Sequence, residues 1–132
     1  MIRFIIVGIT SGLLFGTMDA LINANPYAQK LNKAYKPIAR SSINAGAGIV
    51  IDLVYGFAMA GVFLILFSSL PGESAVLKGL SFGILTWFFR VFMYGASHWM
   101  MFEIPSRTIA YNLVTGLLEM LIIGLFYGLT LK

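Results

Sequence analysis

No cysteine occurs in the 132-residue chain, and histidine occurs once, as His98. Disulfides, thiolate metal sites and cysteine nucleophiles are thereby excluded. A single imidazole cannot complete a zinc site or a bis-histidine haem site within one chain. Charge is scarce too: 11% of residues are Asp, Glu, Lys or Arg, and only five are acids, against about 25% charged residues in a soluble domain. No Ser–His–acid, metal-ligand or phosphate-loop spacing is present, so hydrolytic and nucleotide chemistry have no residues to carry them. We therefore assign no catalytic residue, no metal and no cofactor, and expect a protein that is not an enzyme. The net charge of +4 comes mostly from one loop and suits lipid headgroups, not nucleic acid.

What the chain has in abundance is hydrocarbon. Hydrophobic residues make up 59% of it and the mean hydropathy is +0.90. Apolar runs lie near residues 4–24, 43–67, 76–97 and 106–131, each close to the ~20 residues a helix needs to cross about 30 Å of bilayer core. The alternation that a porin strand requires is missing. This predicts an all-α polytopic membrane protein with four transmembrane helices in one domain, residues 1–132. Arg3 ahead of the first run resembles a secretory signal, but Asp19 interrupts the run before any small-residue cleavage site, so we expect the run to remain as a span.

Asn25-Pro26 ends the first helix, Pro71-Gly72 makes a tight turn, and Pro105 precedes the fourth helix. The 25–41 connection is richer. On a helix, Tyr27, Leu31, Ala34 and Ile38 share one face, with Lys33 and Lys36 opposite and Lys30 at the flank. The pattern predicts a short amphipathic helix in the headgroup layer, with Lys30, Lys33, Lys36 and Arg40 near lipid phosphates.

The two halves correspond. Gly8, Gly12 and Asp19 fall on Gly79, Gly83 and Arg90; with a slightly different offset, Arg40, Ser41, Asp52 and Gly61 fall on Arg107, Thr108, Glu119 and Gly128. This predicts a duplicated helical hairpin, repeat 1 over 1–70 and repeat 2 over 71–132, related by a pseudo-twofold axis along the membrane normal. Gly8, Gly12 and Gly16, and likewise Gly79 and Gly83, mark faces of close helix approach. Asp19 and Arg90 lie on those faces and are expected to form an ion pair between the first and third helices. A lone charge at mid-helix costs about 2.5–3.5 kcal/mol to insert, which pairing relieves.

Asp52 and Glu119 are expected to face each other near the bilayer midplane. Neither has an obvious cation, and Asn112 and Thr115 continue a polar stripe above Glu119. Two facing carboxyls would share a proton or hold a cation. Trp99, Phe102 and Tyr94 form an interfacial aromatic belt near His98.

Lys30, Lys33, Lys36, Arg40 and Arg107 lie on one side, against Arg3, Lys78 and Lys132 on the other. The positive-inside rule then places the first loop in the cytoplasm and both termini outside, in a membrane we read as the prokaryotic cytoplasmic membrane. An acid late in helix one, Gly79-x-x-x-Gly83 in helix three, Phe102-Glu103-Ile104-Pro105 before helix four and an acid in mid-helix four together resemble small four-helix bacterial and archaeal membrane proteins of unknown function. The resemblance spans the chain and implies the fold alone. Three functions fit these residues: a non-catalytic subunit of a membrane complex, which we expect first, a small oligomeric transporter using the midplane carboxyls, and a lipid- or quinone-binding protein. The expected partners are the bilayer and either further copies of the chain or other membrane subunits.

Overall fold

The computed structural model describes residues 1–38 and 45–131, with no strand among them. Five α-helices follow in order: α1 (Ile2–Ala24), α2 (Pro26–Leu31), α3 (Ala45–Leu66), α4 (Ala75–Met101) and α5 (Ser106–Thr130). α1, α3, α4 and α5 are long and apolar enough to cross a membrane. The expected all-helical class and four spans are thus present. Apolar side chains ring these helices because lipid, not water, surrounds the bundle; Ile65, Phe89 and Leu118 point outward without cost.

Two seams build the bundle, α1 on α3 and α4 on α5. Glycine explains both. A methyl group at Gly56 would sit 2.6 Å from the backbone nitrogen of Gly12, and one at Gly83 would sit 2.6 Å from the carbonyl oxygen of Met120. Backbones this close gain packing that a side chain would prevent. The glycine faces of α1 and α4 therefore look into their own hairpins. The sequence-based expectation that they would turn Asp19 and Arg90 toward each other across the bundle assigned those faces the wrong neighbour.

Between the hairpins lies a layer of fully buried side chains, among them Phe15, Phe63, Phe82, Met120, Ile123 and Tyr127. Phe63 packs edge-on to Phe82 with ring centroids 5.3 Å apart. The Tyr127 hydroxyl donates to the Gly56 carbonyl at 3.0 Å and lies 3.0 Å from the Ser11 hydroxyl, so one side chain of α5 ties together α1 and α3. Tyr127→Phe removes this tie without changing shape. We expect it to cost about 1 kcal/mol, the net worth of one such bond, read from denaturant unfolding in detergent.

The turns follow the sequence. Gly72 has a φ of +124°, which suits only glycine in the Pro71-Gly72 turn. Lys78 Nζ donates to the Phe67 carbonyl at 2.7 Å, tying the start of α4 to the end of α3. The first connection is helical but divided: α2 gives way to a 3₁₀ stretch, Asn32–Ile38. Asn25 Oδ1 caps α2 by accepting from the Ala28 amide at 2.8 Å. Ala28, not the Tyr27 face, is buried, while Lys30, Lys33 and Lys36 are exposed. Arg40, and the side chains of Ala34 and Ile38, lie outside the described residues.

α4 changes pitch halfway. Phe88–Phe92 forms a π-helical turn, in which the Met93 amide reaches back to the Phe88 carbonyl. Arg90 is its central residue. Single π turns inside α-helices concentrate at functional sites.

Candidate functional site

A cleft of about 350 Å³ runs between α1, α4 and α5. Asn23, Tyr35, His98 and Ile109 line it near the helix ends that carry the first loop, and Arg90 and Glu119, each midway along its helix, line its deep end. Asp19, Tyr55, Tyr94, Asn112 and Thr115 complete most of its polar wall. The cleft thus extends from the helix ends that carry the first loop to mid-helix. Below it begins the buried aromatic layer.

Arg90 finds a different partner from the one expected. Its Nη1 lies 3.7 Å from Glu119 Oε1, the ion pair among the described residues, with the two side chains 31% and 6% exposed. Asp19 does not come within ion-pairing distance of Arg90, although both line the cleft. The contact to Glu119 is too long for a hydrogen bond. Glu119 Oε1 is buried with no hydrogen-bond partner among the described residues. Arg90 donates instead to Met120 Sδ at 3.8 Å, and its guanidinium sits 4.7 Å from the ring centre of Tyr55 and 5.5 Å from that of Phe15. A guanidinium over two aromatic faces keeps its charge while shedding water, and most of its five N–H groups remain available.

Asp52 and Glu119 do not meet as expected. The Asp52 carboxyl turns toward α1, where only the missing side chain of Gly16 makes room: a methyl there would sit 2.9 Å from Asp52 Oδ2. Asp19, not Asp52, lines the cleft together with Glu119. Asp19, Glu119 and Arg90 thus share one cleft wall, while Asp52 is not among its lining residues. Asn112 and Thr115 join its wall as the polar stripe suggested, with the Thr115 hydroxyl donating to the Tyr111 carbonyl at 2.8 Å.

The mouth is held by polar contacts the sequence did not advertise. The Tyr111 hydroxyl donates to the Ile22 carbonyl at 2.7 Å and accepts from Asn25 Nδ2 at 3.0 Å, fixing α1 to α5. His98 Nδ1 lies 3.0 Å from the Tyr94 carbonyl, and the two rings are 3.9 Å apart. Burial, reinforced by nearby Tyr94, pushes the Tyr35 hydroxyl above its ordinary value near 10, so it stays neutral and able to donate at physiological pH. Tyr35 and Tyr55 escaped sequence reasoning, their one signal being a phenol inside otherwise apolar or loop sequence, and Tyr94 was read only as part of the interfacial aromatic belt. Among the described residues no group of three His, Cys, Asp or Glu is arranged to hold a metal ion. No protein-family model, curated protein or solved structure matches the chain.

Proposed function

We propose that the protein is a small membrane carrier that takes a proton or small cation from the first-loop side to the middle of the bilayer. The observation that carries this reading is the charge imbalance at the deep end of the cleft: two carboxyls, Asp19 and Glu119, line it with one guanidinium, Arg90, and a buried oxygen of Glu119 has no hydrogen-bond partner among the described residues. A bundle that used these groups only to join helices would gain by satisfying that oxygen, because an unpaired buried acceptor costs about 1–3 kcal/mol. Ionisable groups inside a membrane mark ion or proton pathways more often than scaffolding. A proton shared between Asp19 and Glu119, or a cation beside them, restores balance. Crossing the second half of the membrane requires the aromatic layer to part, and four helices make a thin wall for that, so the working unit is an oligomer.

Flux into liposomes tests this. Wild-type protein is expected to conduct protons or a monovalent cation between about pH 5 and 8, and Glu119→Gln or Asp19→Asn to abolish that flux while leaving a folded helical protein. Absence of flux from the wild-type protein would turn the argument toward a non-catalytic accessory subunit of a membrane complex. Retention of a lipid or quinone in the cleft through purification would favour the third reading instead.

We infer further that the chain is a duplicated hairpin. Support comes from the seams: Gly12 meets Asp52 and Leu53 as Gly83 meets Met120 and Leu121. This contact register matches Asp52 to Met120, one residue away from the charge-based alignment with Glu119. A slip of one residue turns a helical side chain by about 100°, which explains why the two acids point in different directions. The exposed lysines of the first connection support its placement in the headgroup layer on the cytoplasmic side, with both termini across a prokaryotic cytoplasmic membrane.

A further inference from the structure

Outside the cleft, a second pocket of about 640 Å³ lies at the same end of the bundle, between the first connection and the start of α5. Lys30, Lys33 and Arg107 line it together with Ser106 and Thr108, and no acid is among its lining residues. We propose that this pocket binds a phosphate group, such as the headgroup phosphate of an anionic lipid. The proposal does not rest on the carrier reading.

Two independent features favour an anion. First, the cations are brought together by design of the fold and not by chance exposure. The buried Thr108 hydroxyl donates to the Leu31 carbonyl at 3.0 Å, and Tyr27 packs edge-on to Tyr111 with ring centroids 5.6 Å apart. These contacts pin α2 against α5 and so hold Lys30 and Lys33 beside Arg107. Like charges gathered this way repel unless a counter-charge sits between them. Second, Arg107 occupies the first turn of a 25-residue helix, with no side-chain cap and no acid in that turn. A cation at that end opposes the helix dipole, whereas an anion there is favoured by it and by the free amides. Glu103, the acid closest in sequence, is exposed and does not line the pocket. The pocket lies at the level where lipid phosphates occur, since α1 ends and α5 begins there.

Native mass spectrometry of the full chain in mild detergent gives the test, with phosphatidylglycerol and phosphatidylcholine added separately. Wild-type protein is expected to retain phosphatidylglycerol preferentially. In the Lys30→Gln, Lys33→Gln, Arg107→Gln variant, affinity should fall about a hundredfold, at about fivefold per cation. Arg3→Gln, at the opposite end, should change nothing. In a second arm, millimolar inorganic phosphate is added without lipid; a rise in thermal midpoint for the wild type but not the triple variant, with no preference between lipids, supports the same site filled from solution. Circular dichroism must show equal helix content in wild type and variants. Equal retention of both lipids with no response to phosphate, or a folded triple variant that behaves as the wild type in both arms, overturns the proposal.

Discussion

Replacing Arg90 by methionine is expected to lower stability by about 3 kcal/mol, and adding Glu119→Gln is expected to recover most of that loss. Orphaning one member of a buried charge pair costs about 3–5 kcal/mol; the lower end applies because the guanidinium is 31% exposed while Glu119 is only 6% exposed. Methionine keeps the length and the contacts with Phe15 and Tyr55 but leaves Glu119 without a counter-charge. Glutamine then removes the need for one. The cycle also separates two partners: if Asp19 were the true counter-charge, Asp19→Asn would rescue Arg90→Met and Glu119→Gln would not. Unfolding in detergent, followed by circular dichroism, gives the coupling energy directly. Additive losses from Arg90→Met and Glu119→Gln would mean that the contact seen at 3.7 Å carries no energy.

A second large effect is expected at the seam of the second hairpin. In Gly124→Ala the new methyl meets the carbonyl of Gly79 and lies 3.0 Å from the backbone nitrogen of Gly83. Backbone atoms cannot swing aside as a side chain can, so the helices must separate, at a cost of about 3 kcal/mol or more, the upper range for overpacking. Gly48→Ala is the matched comparison, since among the described residues nothing lies within 4 Å of a methyl there. It should be neutral or slightly stabilising, alanine being the better helix former by about 1 kcal/mol. Thermal unfolding of both variants in one detergent would measure the contrast. Equal stability of the two would show that the seam is looser than drawn.

The four spans were legible because bilayer thickness imposes a length that composition reveals directly. Turns at Asn25-Pro26 and Pro71-Gly72 were legible for the chemical reason that proline and glycine restrict the backbone. Small-residue faces were legible as faces, but not as pairs. Gly12 meets Gly56 in its own hairpin, and nothing local in the sequence distinguishes that neighbour from the glycine of another helix. The same ambiguity misled the charge pairing. Asp19, Asp52, Arg90 and Glu119 were visible as the charges that matter, and three of them, Asp19, Arg90 and Glu119, line one cleft, but which touches which depends on rotations of about 100° per residue that alignment by charge cannot resolve. The π-helical turn at Phe88–Phe92 had no sequence signal; it exists where the helix must seat Arg90 between α1, α3 and α5 while keeping its glycine seam.

The half-depth of the cleft has an electrical consequence. On the carrier reading proposed above, a pocket open to one aqueous face and reaching mid-bilayer would bring the potential of that face down to Glu119. Most of the membrane voltage would then fall across the remaining half, the layer of Phe63, Phe82 and Tyr127, where the local field would be correspondingly steeper. A monovalent ion would reach Glu119 almost without electrical work. Nearly all of the ~2.3 kcal/mol per elementary charge per 100 mV would be done in the short step past these three rings, so voltage dependence belongs to that layer and not to the acids above it.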